Sequence, residues 1–436
     1  MTSPVCPFEI PDAALLSAAE SGTLGFYGER RTAVVVGGGP SGLMAAEVLA
    51  TAGLRVDLYE HMPSVGRKLL LAGRSGLNLT NNEPLKQMAE RFGRAPLVSE
   101  AVRRYPPSAL RDWAAGLGEL TYIGSSGRVF PVAFRATPLL RAWLARLNAL
   151  EVRIHVRHRW MGWAATEDGK LDARTHRFRT PVGETRVVSG DVTVFALGGA
   201  SWPRVGSDGS WAALFTAAGL DVNALKPANC GLHVNWSPTF VERFVGVPVK
   251  NTRVSVGEAS ARGDVMITDR GLESGPIYMV SSVVRDAVER DGQCAILIDL
   301  HPDLSAEAIV ARLSSRRTKD SATNFLRRTL GLSPVAIALL REATRNELPS
   351  DSLQLAELIK AIPLTIKSVA PLGRAISTAG GLKFHELDDH FMIRSLPGTF
   401  VAGEMLDWEA PTGGYLLQAS FSTAVAAARG AIDWPN

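Results

Sequence analysis

The chain has 436 residues, of which 46% are hydrophobic and 21% charged, and its formal net charge is +4. These values are typical of a globular protein with room for two or three domains, and they exclude a low-complexity chain. Residues 1–30 lack the features of a signal peptide, no apolar run approaches the roughly 18 residues of a membrane span, and three scattered cysteines argue against a disulfide framework or a zinc site. We therefore expect a cytoplasmic protein that holds no metal, and we expect residues 1–30 to form an N-terminal extension.

The first recognisable unit lies between residues 32 and 60 and has the pattern strand, glycine turn, helix, strand, acid. Gly37, Gly39 and Gly42 have the spacing G-x-G-x-x-G. The first glycine permits a tight turn, the second lets the backbone approach a pyrophosphate, and the third lets the helix pack close to the strand. The helix predicted at 41–52 then points its free N–H groups at that phosphate.

Glu60 ends the second strand of this unit, 18 residues after Gly42. An acid at this place can accept hydrogen bonds from a ribose 2′-OH and would repel a 2′-phosphate. Because all parts fall in register, we predict an adenine-dinucleotide site that includes Pro40 and Ser41 at the helix start. The alternative is an α/β turn with incidental glycines.

Two cations and a polar loop follow the second strand. Arg67 and Lys68 could neutralise a pyrophosphate, and the loop 73–82 offers amides and hydroxyls, including those of Asn78 and Thr80, to a polar ligand. The alternative is a surface loop with a solvated charge pair.

The pattern of alternating elements continues to about residue 200. Helices are predicted over 84–120, and strands at 128–131 and 152–156. The stretch 160–189 has short alternating pieces, which indicate a small antiparallel sheet.

A buried strand at 191–197 runs directly into Gly198 and Gly199. This second junction between a strand and glycines suits backbone that passes close to a cofactor, although the glycines could serve only to turn the chain.

The character changes between 220 and 366. Residues 230–300 alternate with period two, which predicts antiparallel strands, and residues 304–360 predict several helices, so both look like an insertion. The helical part carries a basic run at 312–328, which is either a solvated face or a surface for phosphate-rich substrates. No stretch supplies the interleaved aromatic residues of a single-strand stacking platform. The basic residues are Arg312, Arg316, Arg317, Lys319, Arg327 and Arg328.

The tail at 371–429 returns to the first pattern. A buried strand at 399–402 precedes Gly403 and Glu404, which can reach a bound cofactor, and a helix at about 416–429 follows. The N-terminus of that helix could stabilise negative charge on a reduced flavin. The cofactor-binding residues predicted in the tail are Gly403, Glu404, Asp407, Gly413, Gly414 and Leu416.

Taken together, these blocks resemble the BaiN/RdsA-like family of three-domain, FAD-dependent bacterial flavoproteins. The resemblance is carried by GGGPSG (37–42) with Glu60, GRKLLLAG (66–73), LNLTN (77–81), GRVFP (127–131), LGGASWP (197–203), ITDRGLESGP (267–276), STAGGL (377–382) and AGEMLDWEAPTGGYLLQASF (402–421). It implies FAD, a β-rich inserted domain and a helical third domain. Where the family pattern has Gly-Gly-Arg-Cys-Asn, this chain has residues 74–78 as RSGLN, so the substrate of a relative does not transfer.

We predict an α/β fold with a Rossmann-like FAD-binding domain of the GR2 type, an inserted β-rich domain and a helical subdomain. The two glycine junctions and the tail indicate a cofactor held along its full length, which favours resident FAD over exchanging NAD. The predicted boundaries are 31–208 with 369–436 for the FAD-binding domain, 209–302 with 357–368 for the β-rich domain, and 303–356 for the helical subdomain.

The predicted activity is flavin-mediated hydride transfer, with reduction of an unsaturated small molecule by NADH or NADPH. No second G-x-G-x-x-G is visible, so the donor would bind transiently. The alternatives are an amine oxidase that uses oxygen, an RNA uracil reductase, and a redox sensor without catalysis. Arg128, Glu273 and Tyr415 are candidate acid, base or orienting residues, and for each a capping or packing role is an equal alternative.

Overall fold

The structure is a computed structural model that describes residues 30–93, 95–314 and 321–435. The predicted N-terminal extension lies outside this part of the chain except for residue 30, and so do Arg316, Arg317 and Lys319 of the basic run. Within the described ranges, no helix is both long enough and apolar enough to cross a bilayer.

The helices and strands follow the chain in an order that changes at about residue 220. The helices are α1 (Pro40–Thr51), α2 (Arg67–Ala72), α3 (Leu85–Glu90), α4 (Pro96–Arg104), α5 (Pro107–Gly116), α6 (Ala136–Ala149), α7 (Trp211–Ala217), α8 (Pro238–Phe244), α9 (Gly275–Asp291), α10 (Ala306–Leu313), α11 (Ala322–Leu330), α12 (Pro334–Ala343), α13 (Ser352–Lys360) and α14 (Tyr415–Asp433). The strands are β1 (Thr32–Val36), β2 (Arg55–Glu60), β3 (Thr80–Asn81), β4 (Thr121–Ile123), β5 (Arg128–Pro131), β6 (Arg153–Val156), β7 (Arg159–Ala165), β8 (Leu171–Arg179), β9 (Thr185–Ser189), β10 (Val192–Phe195), β11 (Val222–Ala228), β12 (Leu232–His233), β13 (Pro248–Val256), β14 (Ala259–Thr268), β15 (Gly271–Glu273), β16 (Cys294–Asp299), β17 (Ile362–Ile366), β18 (Ser377–Leu382) and β19 (Thr399–Val401).

A parallel five-stranded sheet with the order β19-β10-β1-β2-β6 lies at the centre of the larger core. Val35 in β1 stands opposite Val194 of β10 and Leu58 of β2, and all three side chains are fully buried. Such burial explains why β1 and β10 consist almost entirely of β-branched and apolar residues. The strands predicted at 33–36, 152–156, 191–197 and 399–402 are confirmed. Because β19 pairs with β10, this sheet requires both ends of the chain.

Two small antiparallel sheets flank the parallel one. The sheet β7-β8-β9 is the one predicted at 160–189, and the sheet β3-β5-β4 contains the strand predicted at 128–131. In the second sheet, Asn81 of β3 stands opposite Arg128 of β5. This register places Arg128 beside the segment that leads into the tail helix, because the Asn81 amide donates to the Gly413 carbonyl at 3.1 Å.

The region after residue 220 forms a six-stranded sheet with the order β12-β15-β14-β13-β16-β17, in which every pairing is antiparallel. The period-two prediction is confirmed for these strands but is wrong for 238–244 and 275–291, which are helices. The longer one, α9, buries Ile277, Val280 and Val284 against the sheet. Its helical spacing was hidden by the strands on either side. The helices expected at 304–360 are confirmed as α10–α13.

The buried apolar residues fall into two main clusters. One runs from Ala33 to Leu220 and resumes from Leu382 to Ala431, whereas the other runs from Leu232 to Ile366. The changeovers lie near the predicted domain boundaries, whose positions stay a prediction.

Candidate functional site

The turn between β1 and α1 forms a cradle of bare backbone. A Cβ atom at Gly42 would lie 1.8 Å from the Gly37 carbonyl oxygen, so α1 packs directly on the turn. A Cβ at Gly39 would meet no atom within 4 Å, and no side chain caps the N-terminus of α1. The space above Gly39 and the uncapped N–H groups are the arrangement that a pyrophosphate requires.

Glu60 is fixed beside this cradle by backbone donors. Its carboxylate accepts hydrogen bonds from the Gly38 N–H at 2.8 Å and from the Met62 N–H at 2.7 Å, and the residue is buried. A carboxylate has about four lone-pair positions, so each oxygen retains capacity for a further donor such as a hydroxyl. The strand end thus holds an oriented acid where the sequence predicts a ribose.

A single cleft of about 990 Å³ extends from the cradle and is open to solvent. We call it the dinucleotide cleft. The structure brings together in its lining the predicted residues Gly37, Gly39, Pro40, Ser41, Glu60, Arg67, Lys68, Gly198 and Glu404.

Lys68 lines the cleft, but its ammonium group is already bound to protein partners and is not free for a simple phosphate contact. Its ammonium group is 2.6 Å from a Glu404 carboxylate oxygen and donates to the Ser201 hydroxyl at 2.7 Å. Glu404 also accepts from the backbone N–H groups of Thr378 and Gly199. One ion pair thus fastens α2, the glycine junction after β10, and the tail to each other along one wall of the cleft.

Three polar atoms that belong to residues of this lining are buried, and none has a hydrogen-bond partner among the described residues: Trp160 Nε1, Ser207 Oγ and Arg67 Nε. Leaving a buried donor unsatisfied costs about 1–3 kcal/mol, so native proteins rarely do so without a reason. Such atoms fit a bound polar group with hydroxyls, ring nitrogens and phosphates. On this test, the residues present suit an adenine dinucleotide such as FAD.

The start of α14 is the second helix N-terminus that the sequence singled out. A Cβ at Gly414 would lie 2.4 Å from the Thr80 backbone, and its φ of +100° is one that favours glycine. This contact brings β3 against the helix start, where no side chain caps the N–H groups near Leu416. The Thr80 hydroxyl is engaged within the core, because it donates to the Gln418 amide oxygen at 2.6 Å.

Further predicted cofactor residues lie outside this lining and are placed in different ways. Gly42 and Gly403 pack beneath the lining, since a Cβ at Gly403 would meet the Ser41 hydroxyl at 2.3 Å. Asn78 keeps a buried amide oxygen without a partner in the described chain. Asp407 instead turns toward β11, where it accepts from the Asn223 amide at 2.6 Å, and it does not line the dinucleotide cleft.

A second cavity, of about 790 Å³, lies between α9 and the tail, and we call it the α9 crevice. Its walls include Tyr278 and Met279 of α9, Asn229, Arg91 and Ala410. The Asn229 amide donates to the Ala410 carbonyl at 2.8 Å, three residues before Gly413. The crevice therefore opens beside the start of α14.

None of the three candidate catalytic residues is among those that line the crevice, and each is placed differently. Arg91 holds Glu83 in a two-pronged ion pair and covers the Tyr415 ring at 5.8 Å. Burial and the Glu83 carboxylate raise the pKa of Tyr415 to about 12. Tyr415 thus packs against the ion pair of Arg91 and Glu83, which fits the packing role given as its alternative. Arg128 stands opposite Asn81 in the sheet β3-β5-β4 and does not line the crevice.

Glu273 is exposed and lies at the rim of a smaller recess of about 330 Å³, together with His233, Arg270 and Arg374. Its charge also acts on the Tyr278 hydroxyl of the crevice. Burial, followed by the Glu273 charge, raises the pKa of Tyr278 to about 12. Sequence reasoning selected Glu273 but missed Tyr278, although it stands five residues later, in the first turn of α9. It also missed Trp160 and Ser207, for which the sequence has no local signal.

Comparison with known proteins adds the family. The family model described as HI0933-like protein Rossmann domain matches residues 31–430. The chain belongs to the HI0933-like family. This HI0933-like protein is 25% identical over 415 residues to the 3-dehydro-bile acid delta(4,6)-reductase of Clostridium scindens, a match that spans 92% of the chain and 99% of the relative. It is also 25% identical over 418 residues to the ribosomal RNA dihydrouridine synthase of Escherichia coli, with 92% and 98% covered.

Among solved structures, the HI0933-like protein is similar to the 3-ketosteroid delta1-dehydrogenase of Sterolibacterium denitrificans, with a TM-score of 0.53 and 12% identity over 92% of this chain and 99% of that one. At this identity the likeness shows the fold alone. The family resemblance and the fold class are confirmed, and the chain is an FAD-dependent oxidoreductase.

Proposed function

We propose that this oxidoreductase reduces a carbon–carbon double bond of a small molecule, with NADH or NADPH as the electron donor. The observation that carries the proposal is the α9 crevice, a second cavity beside the start of α14 and separate from the dinucleotide cleft. An enzyme that alternates between a donor and an acceptor needs such a space in addition to the cofactor's own site.

The residues that would hold FAD are those of the dinucleotide cleft. Gly39 and the N-terminus of α1 would receive the pyrophosphate, Glu60 the adenosine ribose, and the N-terminus of α14 the pyrimidine edge of the flavin. When bound, FAD supplies hydride transfer to and from carbon. The protein's part is to position the reactants, to exclude water, and to place a proton where the reduction of a double bond requires one.

Two features favour reduction of an unsaturated small molecule. The crevice presents Met279 and the Tyr278 ring next to the polar side chains of Asn229 and Arg91, a mixture that suits an apolar molecule with one or two polar groups. One of the relatives is named as a reductase of a bile acid. The donor would enter the same space before the substrate, since a second G-x-G-x-x-G is absent from the sequence.

Anaerobic mixing tests the donor. Purified protein reconstituted with FAD is mixed with NADH or with NADPH, and loss of the flavin's visible absorption is followed. We expect rapid bleaching by at least one of the two. If neither donor reduces the flavin but an amine does, with release of peroxide in air, the amine-oxidase alternative replaces this proposal. If no donor reduces the flavin, the result favours a redox sensor.

An RNA substrate is the second candidate, because another relative is named as a ribosomal RNA dihydrouridine synthase. If RNA is the acceptor, transcripts that contain uridine should reoxidise the reduced flavin under nitrogen, and binding should weaken steeply as salt rises. If small conjugated enones reoxidise the reduced flavin, while RNA does not and its binding is insensitive to salt, the substrate is a small molecule.

A further inference from the structure

Tyr278 and Ser282 are the hydroxyl-bearing side chains of α9 that line the crevice, and no role has been given to Tyr278 so far. It lies in the first turn of the helix, where its backbone N–H donates to the Ser274 carbonyl at 2.9 Å. Glu273 lies two residues before that helix begins, and its charge acts on the hydroxyl.

We propose that Tyr278 donates the proton that completes the reduction of the substrate double bond, and that Glu273 is the positioning residue that orients its hydroxyl. This inference rests on the proposed function. It assigns proton donation to Tyr278, whereas the sequence gave Arg128, Glu273 and Tyr415 as the candidates for such a role.

The step balances as an addition of hydrogen across the bond. The double bond, polarised by an adjacent carbonyl, accepts a hydride at one carbon, and its electron pair moves toward the carbonyl oxygen. The neighbouring carbon then takes the proton of the Tyr278 hydroxyl, and the tyrosinate recovers a proton from water. The substrate gains one hydride and one proton, and NAD(P)H is the reductant that is oxidised overall.

The surroundings keep Tyr278 in its protonated form. The Glu273 charge and burial both oppose formation of tyrosinate, and the pKa of about 12 means that the hydroxyl carries its proton at neutral pH. The other charged side chains of the crevice wall are Glu90, Arg91 and Glu409. An acid of this strength matches a carbanion or enolate, which is a far stronger base than water.

Neighbouring groups are less suited to the task. The Arg91 guanidinium is held by Glu83, which raises its pKa further and leaves it a poor acid. The Tyr415 ring is buried beneath Arg91 and its hydroxyl is beside Glu83. The Cys230 thiol is 1% exposed, so it does not reach the substrate space.

The test uses Tyr278→Phe and measures reduction of the flavin by the donor separately from its reoxidation by the substrate. The matched control is Tyr122→Phe, in β4, a tyrosine that is 43% exposed and is not among the residues that line the crevice. FAD affinity and melting temperature should be those of the wild type in both variants. Reoxidation of the reduced flavin by a panel of enones (cyclohex-2-enone, a 4-en-3-one steroid) should slow by about 100-fold or more in Tyr278→Phe alone.

Labelling gives a readout that a structural role would not move. In D₂O the wild-type product should carry deuterium on one face of the carbon next to the hydride acceptor. Tyr278→Phe should give a mixture of both faces, because water then delivers the proton. Glu273→Gln should retain face selectivity and slow reoxidation by about tenfold, as the hydroxyl loses its orienting acceptor.

The outcomes distinguish the inference from the function on which it rests. If the wild-type flavin is reduced but no enone reoxidises it, the proposed reductase function fails and this assignment falls with it. If enones reoxidise the wild type and Tyr278→Phe equally fast and with the same labelled face, the function stands and the assignment of Tyr278 is overturned.

Discussion

The dinucleotide cleft and the α9 crevice are built in different ways. The core of the cleft comes from 29 consecutive residues, 32–60, in which turn, helix and acid are held by local contacts such as the Gly38 N–H with the Glu60 carboxylate. The crevice draws Arg91, Asn229, Tyr278 and Glu409 from segments far apart in sequence. A site made of local contacts can be recognised in the sequence as a motif. A site made of distant segments forms only after the two cores have packed together.

The largest effect that tests this contrast is expected at Gly42. In Gly42→Ala the new Cβ would fall 1.8 Å from the Gly37 carbonyl oxygen, and backbone on both sides has to move. We expect the free energy of unfolding of the apoprotein to fall by about 3 kcal/mol. Denaturant unfolding followed by circular dichroism measures it. Gly39→Ala is the control, because its Cβ enters open space, and equal stability of the two variants would show that α1 does not rest on the turn.

The fold and the cleft were largely predictable because their signals are local. The run at 33–36, the glycine spacing and Glu60 each follow from short-range backbone geometry. The structure also bears out the strand in the tail, since residues 399–401 are buried between β10 and the cap formed by Phe391 and Met392.

The rest was not predictable for physical reasons. Helix α9 has apolar residues at helical spacing, but the strands on both sides set the apparent period, so its residues were read as strand. Lys68 carries the charge that suits a phosphate, and only the fold shows that Glu404, 336 residues away, takes its ammonium group. Asp407 was chosen because it follows a strand end, whereas its partner Asn223 belongs to a distant strand. Pairings of this kind leave no local pattern.

The second effect concerns pH and a histidine near the parallel sheet. His176 of β8 is fully buried, its Nε2 is 2.7 Å from the Thr193 hydroxyl, and burial lowers its pKa to about 4 from 6.5. The unfolded chain therefore binds more protons between those values. The stabilisation is complete above about pH 6.5 and is lost as the pH falls toward 4, by at most about 3 kcal/mol.

Denaturant unfolding of the apoprotein at about pH 7 and at about pH 5 measures the part of the loss that falls in the upper part of this window. His176→Gln should flatten the dependence, while His385→Gln, whose side chain is 62% exposed, should leave it unchanged. A His176→Gln variant with the wild-type pH dependence would mean that this histidine is not buried in its neutral form.

A third, intermediate effect tests whether the space above Gly39 is a binding surface. Gly39→Ala should keep the apoprotein as stable as the wild type, because the new methyl group meets no protein atom within 4 Å. It should weaken FAD binding by about tenfold, since that methyl group stands where the pyrophosphate has to approach the backbone. Titration calorimetry of apoprotein with FAD measures the change, and unaltered affinity would place the phosphates elsewhere.

The smallest effect is expected where the two cores are tied together at the crevice. Arg285 of α9, with its side chain 8% exposed, donates to both Glu409 carboxylate oxygens at 3.0 and 3.1 Å and to the Pro227 carbonyl. Glu409→Gln removes one charge of a pair whose acidic partner is 37% exposed. After allowance for screening by solvent, we expect a loss of about 1 kcal/mol in unfolding free energy.

The same change should loosen α9 locally, because the tie joins that helix to the tail beside the crevice. Hydrogen exchange of the α9 amides should become several-fold faster, by about fivefold for 1 kcal/mol. Glu289→Gln is the matched control on the same helix, since Glu289 pairs with Lys226 at the surface, where the two side chains are 57% and 40% exposed. If both variants exchange alike, the cores are held together by apolar packing and the Arg285–Glu409 pair contributes no net stability to the crevice.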